Sequence, residues 1–293
     1  MATESPTATE GSAALHEDAA STAPPPEIRE QECRGGTGHK SWHAASLLAA
    51  VLMNMEVDVA LASQEAHLLT ADHAEQATMP ETVCAQPAPL APQTRKDRRV
   101  LELGAGTGSL AVALAREGWR GITATDGDAA VVKNMKYNVH ANHLGHAIRC
   151  RKWDWSQQPP KDLDLSDIDL CIASEVVYYN RTHEHLAATL RRVLTSRAGD
   201  EVRPPPRVLI MLTVRQPEST GGNVVHSVDN RGYEGSCIET FVDKELPNES
   251  LVATRLSIPD TAVQSCRSEA AREVYRSQDV VDALRFYEIS LVA

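Results

Sequence analysis

From Arg99 onward, apolar and polar positions fall into blocks that predict strand and helix in turn. Val100 to Leu103 is a short apolar run that ends in a glycine-rich turn. Ser109 to Glu117 has helical spacing and stops at Gly118. Gly121 to Thr125 is a β-branched strand, Ala129 to Asn142 a helix, and Ala147 to Lys152 a further strand. Ile168 to Ala173 reads as an apolar strand, Thr182 to Leu194 as a helix, and Val208 to Val214 as a continuous apolar strand after three prolines. Such alternation predicts an α/β fold: a mostly parallel sheet with helices on both faces. The end differs. Ser250 to Ile258 and Leu284 to Ala293 are both strand-like, and the second alternates through Leu284, Phe286, Glu288 and Ser290. An antiparallel strand finishing the sheet fits this.

The N-terminal third is less regular. Residues 1–30 are dominated by Ala, Thr, Ser, Glu and Pro. They offer too little apolar surface to offset the entropy of ordering, so a disordered tail is expected, with residues 1–28 dispensable for activity. Trp42 to Met55 predicts a short buried helix. A second biased stretch follows. Its first part, to about His73, is compatible with an extension of that helix, and Pro80 to Gln93, with four prolines, predicts loop. Residues 31–293 are therefore read as a single domain carrying a low-complexity insertion over 56–97.

Charge adds little to this. The formal net charge is −11, but residues 1–28 hold five acids and no Lys or Arg, and residues 56–94 hold six and none. These two segments carry the whole excess. No basic face points to nucleic acid. Hydrophobic residues at 42% are enough for a sizeable core. The six cysteines form no CxxC, and the N-terminus shows neither a basic n-region nor an apolar h-region. No apolar run reaches the ~18–20 residues that span a bilayer. A cytoplasmic protein with free thiols, away from membranes, is the expectation.

The candidate chemistry begins at Leu101-Glu102-Leu103-Gly104-Ala105-Gly106-Thr107-Gly108. A strand runs into three alternating glycines and then a helix, so a ligand can lie against bare backbone. A dinucleotide fingerprint would place its third glycine at position 109, which is Ser, and there is no GK[ST] for a P-loop. G-x-G-x-G with an acid two residues earlier is instead the usual start of a class I S-adenosylmethionine (SAM) methyltransferase. SAM has no pyrophosphate, but it has an ammonium that Glu102 can hold. A second acid is then needed for the ribose hydroxyls. Asp126 follows Ile122-Thr123-Ala124-Thr125, twenty-two residues after Gly104. Trp153-Asp154-Trp155 follows the third strand, where an indole can pack on adenine and a carboxylate can accept from its amino group.

The fourth strand ends in Ala173-Ser174-Glu175-Val176-Val177-Tyr178. Ligands of open α/β sheets bind beyond the C-terminal ends of the strands. Ala173 and Ser174 are accordingly assigned to the cofactor, and Glu175 and Tyr178 to catalysis. The stretch lacks the [ND]-P-P-[YF] that binds planar amides or amines in DNA and glutamine-amide methyltransferases. An acid and a tyrosine suit a cationic acceptor such as a lysine, through charge and cation–π attraction. His183 and His185 follow on the next helix, where a solvated face is expected. No spacing suggests a metal site.

These motifs resemble the seven-β-strand protein-lysine methyltransferases of methyltransferase family 16. The family's acid-x-x-[YF] motif matches Glu175 to Tyr178, with Glu where Asp is more usual. Its N-terminal G-x-x-x-W-x-A-A signature matches Gly38 to Ala45. The resemblance implies a Rossmann-like class I fold, SAM as cofactor, a place for Trp42 in the SAM pocket, and Trp155 as the adenine-side tryptophan. Gly35-Gly36-Thr37-Gly38 and Thr213-Val214-Arg215-Gln216-Pro217-Glu218 are similar to the branch that methylates elongation factor 2. Residues 219–236 have no counterpart there. The resemblance implies a non-histone protein substrate, elongation factor 2 among the candidates, and a monomeric enzyme. A methyltransferase for another protein or a small molecule, and a catalytically silent SAM-fold binding module, stay open at this point. So does the acceptor of the lysine proton, water or Glu175.

Overall fold

The computed structural model describes residues 26–30, 43–65, 84–90, 95–178, 180–214, 237–266 and 283–292. Among them seven strands form one sheet: β1 (Val100–Leu103), β2 (Ile122–Asp126), β3 (Ile148–Lys152), β4 (Leu170–Ser174), β5 (Arg207–Thr213), β6 (Leu251–Leu256) and β7 (Leu284–Leu291). Their order across the sheet is β3-β2-β1-β4-β5-β7-β6. The first five run parallel, and β7 is antiparallel to both β5 and β6. This is the mostly parallel sheet that the alternation predicts, in the Rossmann-like arrangement that the resemblance implies, with the antiparallel strand at the end of the chain.

Side-chain alternation sorts the core into two layers. Val100, Ile172, Leu209 and Met211 pack under α1 (His43–Glu65), α2 (Ser109–Arg116) and α3 (Ala129–Ala141). Leu101, Leu103, Cys171, Ala173, Val208 and Ile210 pack on the other face. There they meet α4 (Asn180–Leu194) and a helical stretch, Cys237–Thr240, that passes through a π-turn, Phe241–Glu245. The central strands are buried on both faces, which is why they read as unbroken apolar runs.

Two regions differ from expectation. α1 reaches Glu65, inside the extension to about His73 that the sequence allows; the difference lies at the far end of the expected insertion, where Ala85 and Leu90 dock on the fold. The Ala85 N–H donates to the Arg255 carbonyl at 3.0 Å and its carbonyl accepts from the Ser257 N–H at 2.9 Å. Arg207 donates to the carbonyls of Ala88 and Pro89. The proline-rich stretch thus satisfies backbone groups at the edge of β6, which no periodicity could announce. Residues 66–83 and 91–94 lie outside the described residues, as do 219–236.

The second difference concerns residues 26–30, inside the segment expected to be disordered. They lie along α3, where Asn138 and Asn142 each bond both the N–H and the C=O of one segment residue, Arg29 and Glu27 respectively. Ile28 packs on the core, and the Arg29 guanidinium stacks on Tyr137 at 4.8 Å. Side-chain amides supply the order that apolar content does not. Residues 1–25 lie outside the described residues.

Candidate functional site

β1 sits between β2 and β4, and the register pairs Leu103 with Thr125 on one side and with Ala173 on the other. The next residues, Asp126, Gly104 and Ser174, therefore emerge at one level from three adjacent strands. Two strand spacings separate the outer pair, roughly 10 Å. The chain moves to opposite sides of β1 through β2 and β4, so this level is the switch point in strand order.

Gly104, Gly106 and Gly108 all have positive φ, at 65°, 55° and 79°. A methyl group at Gly104 would lie 2.6 Å from Val176 Cγ1 and 3.4 Å from the Trp155 ring. One at Gly108 would lie 2.7 Å from Met135 Cγ. The loop thus needs glycine both for its turns and for its packing. Asp126 props it open: Oδ2 accepts from the Gly106 N–H at 3.1 Å and Oδ1 from the Asp128 N–H at 3.0 Å. Gly108 then opens α2 with no side-chain cap.

Glu102 occupies the face of β1 that packs against α2. Its neighbours across the sheet are Ala124 and Ile172. It is 3% exposed. Burial in this apolar layer raises its pKa from 4.5 to about 8, opposed by a hydrogen bond from the Ala111 backbone and reinforced by the charge of Asp126. Its Oε2 has no hydrogen-bond partner among the described residues, and neither has Ser174 Oγ or Trp155 Nε1. A buried carboxyl oxygen without a partner has room for a donor, and a cation beside it favours the ionised form that burial opposes. The α-ammonium of SAM is such a cation, and the residues present fit the group.

Trp153 is buried, and its Nε1–H donates to the Gln157 carbonyl at 3.3 Å, so it belongs to the core. Trp155 is half-buried and lies against Gly104, on the loop side. Asp154 is exposed; its Oδ1 accepts from both the N–H and the hydroxyl of Ser156, which hold its carboxyl below the usual range. Trp42 lies outside the described residues.

At the end of β4 the chain takes a turn that a side chain rarely adopts. Glu175 has φ of 57°, although it is not glycine. Left-handed geometry at such a residue costs on the order of 1–3 kcal/mol and clusters at working sites. The Glu175 N–H donates to the Met211 carbonyl at 3.0 Å, and its Oε1 accepts from Thr213 Oγ1–H at 2.6 Å. Thr213, at the end of β5, is a residue of the site that sequence reasoning used only as part of a motif. Ala173 is fully buried beneath, while Ser174 and Tyr178 are half-buried.

His183 is a correction. It does not lie on a solvated face but is fully buried, edge-on to Phe241 with ring centroids 5.6 Å apart. Burial drops its pKa to about 4, so it is neutral at pH 7. Its position on the apolar stripe of α4, three residues before Leu186, outweighs its polarity. Among the described residues no group of three or more His, Cys, Asp or Glu could hold a metal ion.

The lysine methyltransferase family matches the chain over residues 23–216. The chain is a member of that family. Lysine methylation is the family's chemistry, and the family agrees with SAM as cofactor, as the motifs implied. The calmodulin-lysine N-methyltransferase of Arabidopsis thaliana is 28% identical over 115 residues, covering 38% of this chain and 37% of the relative. A protein N-terminal and lysine N-methyltransferase, EFM7, of Cryptococcus neoformans is 29% identical over 145 residues, 43% of this chain and 48% of the relative. The chain thus aligns with less than half the length of these curated relatives. Among solved structures, a TehB-like SAM-dependent methyltransferase from Corynebacterium glutamicum matches 67% of this chain and 81% of its own, at 15% identity and a TM-score of 0.36. No helix among the described residues is long and apolar enough to cross a membrane.

Proposed function

We propose that this protein is a SAM-dependent protein-lysine N-methyltransferase whose substrate is a non-histone protein, elongation factor 2, methylated in the cytoplasm by the monomeric enzyme. The observation that carries the reading is Glu175. It is an acid held in left-handed backbone geometry beyond β4, one strand away from the glycine loop.

When bound, SAM supplies a methyl group on a positively charged sulfur, poised for in-line attack by an amine. The protein's own residues do the rest by binding and alignment. Glu102 holds the ammonium of the cofactor and Asp126 accepts from its ribose hydroxyls. Trp155 packs on the adenine and Asp154 accepts from its amino group. Trp42, Ala173, Ser174 and the three glycines complete the pocket. Glu175, steadied by Thr213, draws in the lysine amine, and Tyr178 walls its channel with a ring that favours cations. Desolvation of the bound lysine would favour the neutral amine that attacks, opposed by Glu175 when it is charged.

A second reading has one observation in its favour. The Cryptococcus relative is named for N-terminal as well as lysine methylation. An α-amine presents the same nucleophile on a different stem.

One experiment tests both. Radiolabelled methyl transfer from SAM into a cell lysate should label a band at elongation factor 2, on a lysine side chain. Glu175→Ala should lose that band while still binding SAM. Label on a chain's first residue would favour the second reading. A Glu175→Ala variant that methylates at the wild-type rate would refute the role given to Glu175.

A further inference from the structure

Asn134 and Asn138 of α3 and Asn142, its C-cap, recur at every fourth position, so their side chains stack along one face of the helix. Four helical residues rise about 6.0 Å. Two residues of extended chain advance about 6.6 Å. The match lets the ladder pair with alternate residues of a strand. Asn142 accepts from the Glu27 N–H at 3.1 Å and donates to its carbonyl at 2.7 Å. Asn138 accepts from the Arg29 N–H at 2.9 Å and donates to its carbonyl at 3.2 Å, a carbonyl to which Asn134 also donates. These bonds go to the main chain.

Asn138 has a further bond. Its amide also donates to the carbonyl of Thr107, at 2.9 Å, in the middle of the glycine loop. One fully buried carboxamide therefore holds the loop on one side and residues 27–29 on the other. When those residues lift off α3, water reaches Asn138 and competes for its donors, and the carbonyl of Thr107 loses a fixed partner.

We propose that Asn138 is a positioning residue for the cofactor loop, and that docking of residues 27–29 on α3 and binding of SAM strengthen each other. The inference rests on the reading of residues 104–108 as the SAM loop. It reverses the expectation that the N-terminal tail is dispensable through residue 28, since such a truncation removes the pairing at Glu27.

Coupling of this kind is reciprocal. It is tested on the full chain by calorimetric titration with SAM and by amide exchange at Glu27 and Arg29, with and without S-adenosylhomocysteine. Asn142→Ala, which does not contact the loop, should speed exchange at Glu27 and Arg29 and weaken SAM binding by about fivefold. Saturating S-adenosylhomocysteine should slow that exchange in the wild type by a similar factor. Asn138→Ala should weaken binding further. Should that variant not fold, the half-buried Asn142 carries the test alone. Faster exchange in Asn142→Ala with wild-type SAM affinity would overturn the coupling and leave the loop assignment standing. A wild type that binds no SAM at millimolar concentration would overturn the loop assignment itself.

Discussion

At the N-terminal ends of β1, β4 and β5, charged groups are tied to one another and to the backbone. Asp169 accepts from the Arg99 N–H at 2.9 Å and from the Arg197 guanidinium at 2.7 Å. Arg197, nearly buried, also donates to the carbonyls of Ser166 and Pro204. Arg207 grips the Glu288 carboxylate with two bonds. At the C-terminal ends of β1 and β4 the pattern inverts. Glu102 Oε2 and Ser174 Oγ are buried with no partner among the described residues, and Glu175 sits in left-handed geometry. Polar groups at one end hold the sheet together. Those at the other lack that support at a cost in stability, which fits the proposed ligand site.

The contrast breaks first at its structural end. Arg197→Met removes one partner of a nearly buried ion pair and strips three acceptors of their donor. It should lower unfolding stability by about 3 kcal/mol, read from denaturant titration. SAM affinity of the molecules that stay folded should not change. A variant of wild-type stability would show that the Arg197–Asp169 contact is not a staple.

At the ligand end, Glu102→Gln should move stability and binding in opposite directions. Glu102 has a folded pKa of about 8 against 4.5, so the folded state keeps its proton more tightly than the unfolded chain does. Its contribution is full below pH 4.5 and is lost as the pH rises toward 8. The ligand-free variant should therefore melt higher than the wild type near pH 8, with the gap closing on acidification. The same variant should bind SAM about tenfold more weakly, having lost a charge-assisted bond. A lower melting point at pH 8 would contradict the picture of an oxygen held in waiting.

The smallest effect concerns Thr213. Thr213→Val keeps the shape and removes the hydroxyl on Glu175 Oε1. Turnover should fall about fivefold, as expected for one hydrogen bond, with SAM affinity unchanged and Thr213→Ser restoring most of the rate. Equal rates for all three proteins would leave Thr213 with a packing role only.

The sheet was legible because its central strands are buried on both faces and its helices are periodic; strand boundaries shift by at most two residues from those the pattern predicts. The candidate site was legible where chemistry dictates spacing, as in three glycines after a strand and an acid at the end of the next, which the fold brings to one level. What stayed hidden depends on partners far away in sequence. Asp169 reads as an interruption in an apolar run until Arg197 and the Arg99 backbone meet it. Asn134, Asn138 and Asn142 look like an ordinary polar helix face until residues 27–29 arrive from more than a hundred positions away. His183 looks solvated until Phe241 covers it. Prolines conceal the docking of residues 84–90, since loop composition carries no register.

The central claim is that the rim formed by Gly104 to Gly108, Asp126 and Glu102 binds SAM. Calorimetric titration of SAM into Asp126→Ala beside the wild type tests it most directly. Two lost charge-assisted bonds to the ribose should weaken affinity by about a hundredfold or more, while the fold persists. An unchanged dissociation constant in a folded variant would contradict the claim.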